Sequence, residues 1–143
     1  MRNLSISKSI VYYWTPVWFW MIAIFVASSI PSVEIQQSEI VGTLSMSAPI
    51  LANQFTIHVT EYGILSLLLY RLIFHTRMIH PAKIWFFAVV LSVLYGISDE
   101  LHQSFVPGRY PGLMDLSYDA MGAIFGASFA LLATNLINRL RNR

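Results

Sequence analysis

The stretch AKIWFFAVVLSVLYGIS at residues 82–98 carries one charge, Lys83 near its start, and then runs straight into Asp99-Glu100-Leu101-His102-Gln103. A helix crossing a bilayer needs about 20 mostly apolar residues, because hydrocarbon offers no partner to an open backbone. Ala82 to Ser98 therefore reads as a span that ends abruptly in an acidic cluster. Three other runs have the same character. Val11 to Ile30 is free of charge and closed by Pro31, Phe55 to Arg71 carries His58 and Glu61 near its beginning, and Leu116 to Ile137 carries Asp119 near its start. The expected helices are about 10–30, 55–74, 82–103 and 115–137 in one all-α domain over residues 1–143, an integral membrane four-helix bundle.

Composition agrees. The 143 residues are 56% hydrophobic and 11% charged, with a mean hydropathy of +0.60. A soluble domain carries about 25% charged residues, so a soluble surface is excluded. Cysteine is absent, which removes disulfides, thiolate zinc sites and cysteine nucleophiles. Arg2 and Lys8 before the first run, with Ala27-Ser28-Ser29 at its end, resemble a signal peptide. The run is too long for a signal core and holds Trp14, Trp18 and Trp20, so a retained helix is expected.

Lys and Arg mark the cytoplasmic side. Arg2 and Lys8 lie at the N-terminus, Arg71, Arg77 and Lys83 between spans two and three, and Arg139, Arg141 and Arg143 at the C-terminus. Segment 31–54 has Glu34 and Glu39 and no base, and segment 99–118 has Arg109 alone among acids. Both termini are thus expected in the cytoplasm of a multi-pass membrane protein. The basic tail suits anionic lipid heads, and nucleic-acid binding is rejected for want of a larger basic surface. His75 and His80 read as loop residues, and the rings at 12, 13, 14, 18 and 20 as lipid-facing interface anchors.

This topology gathers residues that the chain keeps apart. His58 and Glu61 enter span two from outside, Asp99, Glu100, His102 and Gln103 leave span three there, and Asp115 and Asp119 enter span four there. Five of the seven acids and two of the four histidines share one level. Asp115 and Asp119, four apart, share a helix face with Gly122 and Gly126, whose spacing permits close helix packing within the chain or against another copy. Tyr95, Asp99 and His102 share a face if span three stays helical beyond Ser98. Pro107-Gly108-Arg109-Tyr110-Pro111-Gly112 is a turn presenting Arg109. Ionisable groups within a span cost about 2.5–3.5 kcal/mol each at its centre. So many at one level points to a functional site, with an interhelical staple as the alternative.

The run Ser98-Asp99-Glu100-Leu101-His102-Gln103-Ser104-Phe105-Val106-Pro107-Gly108-Arg109, followed by Asp115, Asp119 and Gly122, resembles the VanZ-like family signature. His58 with Glu61-Tyr62 and the Ser29-Ile30-Pro31 end of span one are similar too. Many members carry Asp-Lys shortly before the span-two histidine, where this chain has Asn53-Gln54. The family is named for a protein associated with low-level teicoplanin resistance. The resemblance implies a small bacterial inner-membrane protein of the cell envelope, with its polar site outside.

Two classes of function stay open. In an enzyme, a hydrolase or transferase on a phospholipid or undecaprenyl-linked precursor, Asp99, Glu100, His102, Asp115, Asp119, His58 and Glu61 form the catalytic set. There a histidine works as acid or base. Asp99, Glu100, Asp115 and Asp119 are the carboxylates able to hold a divalent cation, while Arg109, Gln103 and Tyr95 contact substrate, Arg109 by a bidentate phosphate clamp. In a non-catalytic module the same residues bind a lipid head group or antibiotic without turnover. A transporter subunit is disfavoured, because the cytoplasmic halves of the spans lack acids. A homo-oligomer stays open.

Overall fold

The computed structural model describes residues 6–31, 53–77 and 79–143, which form α1 (Ile6–Ser28), α2 (Gln54–Thr76), α3 (Pro81–Gln103) and α4 (Leu113–Arg141). All four are long and apolar enough to cross a membrane, and no strand occurs among the described residues. Glu34, Glu39 and Arg2, used above for orientation, lie outside the described residues.

The helix ends follow local chemistry. Asn53 accepts a hydrogen bond from the Phe55 N–H at 3.0 Å and starts α2, as an Asx N-cap does. His80 Nδ1 accepts the Ala82 N–H at 3.3 Å, with Pro81 at the first helical position of α3. After α3 the Arg109 N–H reaches the Val106 carbonyl at 3.1 Å, with Gly108 at φ 75°. Pro107 at the second position and a positive-φ glycine at the third make a type II turn. That turn reverses the chain within nine residues, 104–112, and sends α4 back antiparallel.

The bundle is unequal. α2 and α4 make the most extensive contact, α3 packs on both, and α1 lies on α2 with a light touch on α3 and no contact with α4. Lipid tails are as apolar as leucine, so close packing and hydrogen bonds must hold spans together. Glycine supplies the closest approach. A Cβ at Gly122 would strike the Val59 backbone, and one at Gly126 the Gly63 carbonyl, so this small-residue stripe is spent within the chain. Tyr62, Leu65 and Ala127 are completely buried around the α2–α4 contact.

Candidate functional site

Each polar residue sits at the same end of its helix pair, and side-chain contacts join all four helices there. The contacts divide into two groups, one on each side of α3.

The first group fastens α1. Asp99 is buried, with Oδ1 accepting from the Ser28 hydroxyl at 2.7 Å and Oδ2 from the Gln103 side-chain N–H at 2.9 Å. His102 Nε2 lies 2.9 Å from the Ser29 hydroxyl, and its ring stacks on Phe25 with centroids 4.3 Å apart. Tyr95 donates to the Met21 carbonyl at 2.6 Å. Arg109 donates to the α1 terminal carbonyls of Ile30 at 3.2 Å and Ala27 at 3.5 Å. A cation belongs there, since the last carbonyls of a helix carry partial negative charge. Ser29 also donates to the Phe25 carbonyl at 2.6 Å. Its single proton is thereby engaged, so His102 is the donor of the pair and Ser29 is not an activated nucleophile.

The second group lies between α2, α3 and α4. His58 Nδ1 stands 2.8 Å from Asp119 Oδ1, with side-chain exposures of 9% and 1%. Glu100 is buried beside them, its Oε2 accepting the Gly112 N–H at 2.9 Å where α4 begins. Gly112 has no side chain to cap that helix, so Glu100 is tied to the N-terminal turn of α4. One donor atom from each of His58, Glu100 and Asp119 falls within 4.8 Å of the others. Asp119 Oδ2 and Glu100 Oε1 are buried and have no hydrogen-bond partner among the described residues. Gly96 gives Asp119 its room, since a Cβ there would stand 2.9 Å from Oδ2.

The family model described as VanZ/LLP1 matches residues 13–134. The chain belongs to the VanZ/LLP1 family. No curated protein and no solved structure matches it. The matched region holds every polar residue of both groups, so this VanZ/LLP1 centre lies wholly within the family's own span.

The residues singled out from the sequence of this VanZ/LLP1 chain thus separate. Asp99, His102, Tyr95 and Arg109 contact α1, with Gln103 bonded to Asp99, whereas His58, Glu100 and Asp119 meet between α2, α3 and α4. Glu61 is half-buried within electrostatic range of His58, Asp99, Asp119 and Arg109, so it stands between the groups. Asp115, one turn before Asp119, is half-buried. Of the four carboxylates named for a cation, only Glu100 and Asp119 share the compact cluster, and His58 joins them. Ser28 and Ser29 join the site without a mark in the sequence pattern, because a hydroxyl pair ending an apolar helix has no periodic signal. Trp20 departs from the lipid-facing reading, as its indole N–H donates to the Glu61 carbonyl at 2.8 Å, while Tyr12, Trp14 and Trp18 are exposed.

Proposed function

We propose that this protein acts on the head group of an envelope amphiphile, a phospholipid or a lipid-linked precursor, from the outer leaflet of the bacterial inner membrane. One observation carries the reading: a histidine held by a buried aspartate, beside a second buried carboxylate, at the end of four apolar helices. An imidazole tied through one ring nitrogen to a carboxylate has a fixed orientation and tautomer. Its other nitrogen then serves as acid or base toward a bound linkage. His58 takes that role, Asp119 orients it, and Glu100 and Asp115 set the local charge. No serine or cysteine stands ready as nucleophile among the described contacts, so the attacking group in a hydrolysis is water. An apolar groove of about 360 Å³ between α1, α2 and α3, walled by Trp14, Trp18, Leu69 and Ile73, runs from Thr76 and Arg77 at the basic end to Tyr95 and offers space for an acyl chain.

Binding without turnover is the second reading. What favours it is the commitment of Arg109 to the α1 carbonyls, which leaves a bidentate phosphate clamp only if α1 yields those bonds.

Native mass spectrometry of the protein in mild detergent, together with incubation in phosphatidylglycerol and phosphatidylethanolamine vesicles, tests both. Catalysis predicts a retained lipid and head-group release that His58→Gln abolishes with helicity intact. Retention without release supports the binding reading. Neither retention nor release, with His58→Gln merely melting earlier, makes the centre a staple and overturns both.

A further inference from the structure

We propose that His58, Glu100 and Asp119 form a binding site for one first-row divalent cation, Zn²⁺ or Mn²⁺, clamped between α2, α3 and α4. The inference stands on geometry alone, and wherever the ion is bound it replaces the acid–base role of His58 with a ligand role.

The donors come from three different helices, yet one atom from each lies within 4.8 Å of the other two. Ligands about 2.0–2.2 Å from a zinc ion stand roughly 3–4 Å from one another. The widest pair therefore needs to close by no more than about 1–2 Å to coordinate. The two unpartnered oxygens point to the ligand. Asp119 is 1% exposed and Glu100 7% exposed, and each has one oxygen bonded and one without a partner among the described residues. The Gly112 N–H fixes Glu100 through its bonded oxygen, and the His58 Nδ1–Asp119 Oδ1 contact brings the other two ligands together. Metal sites are oriented in this way by partners of their ligands.

Charge balance leads to the same kind of ion. Two carboxylates and an imidazole meet in an apolar bundle, while Arg109 is turned to α1. A buried water could donate to both oxygens yet leaves the two acids' charge uncompensated, whereas a doubly charged cation compensates both together. The donor set selects among cations. One imidazole with two carboxylates suits Zn²⁺ or Mn²⁺, whereas Mg²⁺ and Ca²⁺ prefer oxygen-only shells of six or more ligands. The chain has no cysteine to favour a softer ion.

The test uses full-length protein in mild detergent, stripped with EDTA and then titrated with Zn²⁺ by calorimetry and with Mn²⁺ by electron paramagnetic resonance. One equivalent should bind the wild type. Asp119→Asn and Glu100→Gln should each weaken binding at least tenfold, while Asp99→Asn, whose carboxylate faces Ser28 and Gln103, should keep it. Absence of saturable binding by the wild type overturns the site, as does equal affinity in Glu100→Gln or equal loss in Asp99→Asn. Circular dichroism checks that each variant is folded. If Asp119→Asn fails to fold, Glu100→Gln with Asp99→Asn decides the matter. Metal bound without any lipid retained or altered upholds this site and removes the functional reading. Lipid turnover unaffected by EDTA, in protein that binds no metal, does the reverse.

Discussion

Successive residues on a helix point about 100° apart, so Asp99 and Glu100 cannot serve the same neighbour. Asp99 has both oxygens bonded, to Ser28 and Gln103, whereas Glu100 spends one oxygen on the Gly112 N–H and keeps the other unpartnered. The histidines divide similarly. His58 is buried against a buried carboxylate, and His102 is half-exposed between Ser29 and Phe25. Removing one partner of a buried pair strands the other, at about 3–5 kcal/mol, while losing an ordinary hydrogen bond costs about 0.5–1.5 kcal/mol. His58→Ala should therefore destabilise the protein by several times as much as His102→Ala, read from thermal midpoints in the same detergent. Equal effects would mean that the His58–Asp119 contact is not the strong one. The sequence places Tyr95, Asp99 and His102 on one face through their helical spacing, and the structure puts all three against α1. It does not say which neighbour each face meets, because that depends on how α1 and α4 flank α3.

Among the elements, α2 and α4 are joined by backbone approach, and α1 is joined to the rest through polar contacts and through buried Val17 and Ile24. The glycines of the first contact are not equivalent. A Cβ at Gly126 would overlap the Gly63 carbonyl, but a Cβ at Gly63 would sit 3.4 Å from the Gly122 carbonyl, an ordinary contact distance. Gly126→Ala should cost about 1–3 kcal/mol or more as an overpacked substitution, and Gly63→Ala should be close to neutral. Thermal melts of the two variants, side by side, check this, and a reversal would place the helix interface elsewhere. For α1 the controlling contacts are those of Asp99. Asp99→Ala leaves the Gln103 amide without its acceptor and the Ser28 hydroxyl with the Phe25 carbonyl alone, a loss of about 1–3 kcal/mol. Hydrogen exchange should rise in α1 selectively, with α2 and α4 still protected. Uniform deprotection would show that α1 is not a separable element. The Gly122–Gly126 stripe is legible as a packing surface, but four-residue spacing carries no mark of its partner. The unequal attachment of α1 is not legible at all, since its apolar run resembles the other three.

Across the whole molecule, charge divides between the two ends. The C-terminal end of α2 carries Arg71 and is followed by Arg77, α3 begins with Lys83 close behind, and α4 ends with Arg139 and Arg141. Antiparallel connection brings these to one end of the helices, and the polar centre with Arg109 to the other. Arg71 is also stacked over Tyr12 and Tyr13, at 4.7 and 5.2 Å from their centroids, so the basic end of α2 engages α1 as well. Basic flanks stay on the cytoplasmic side during insertion, which would put the His58–Glu100–Asp119 centre at the outer surface and both termini inside. The native chain lacks cysteine, so a single introduced thiol reports sidedness without background. Ser104 and Asn142 are exposed at opposite ends. In intact cells, Ser104→Cys should react with a membrane-impermeant maleimide, and Asn142→Cys should react only after permeabilisation. The opposite pattern would invert the protein and move its centre to the cytoplasmic leaflet. Its ligands would then have to come from the cytoplasmic pool of lipids and metal ions, because the acids among the described residues all lie toward that one end of the helices.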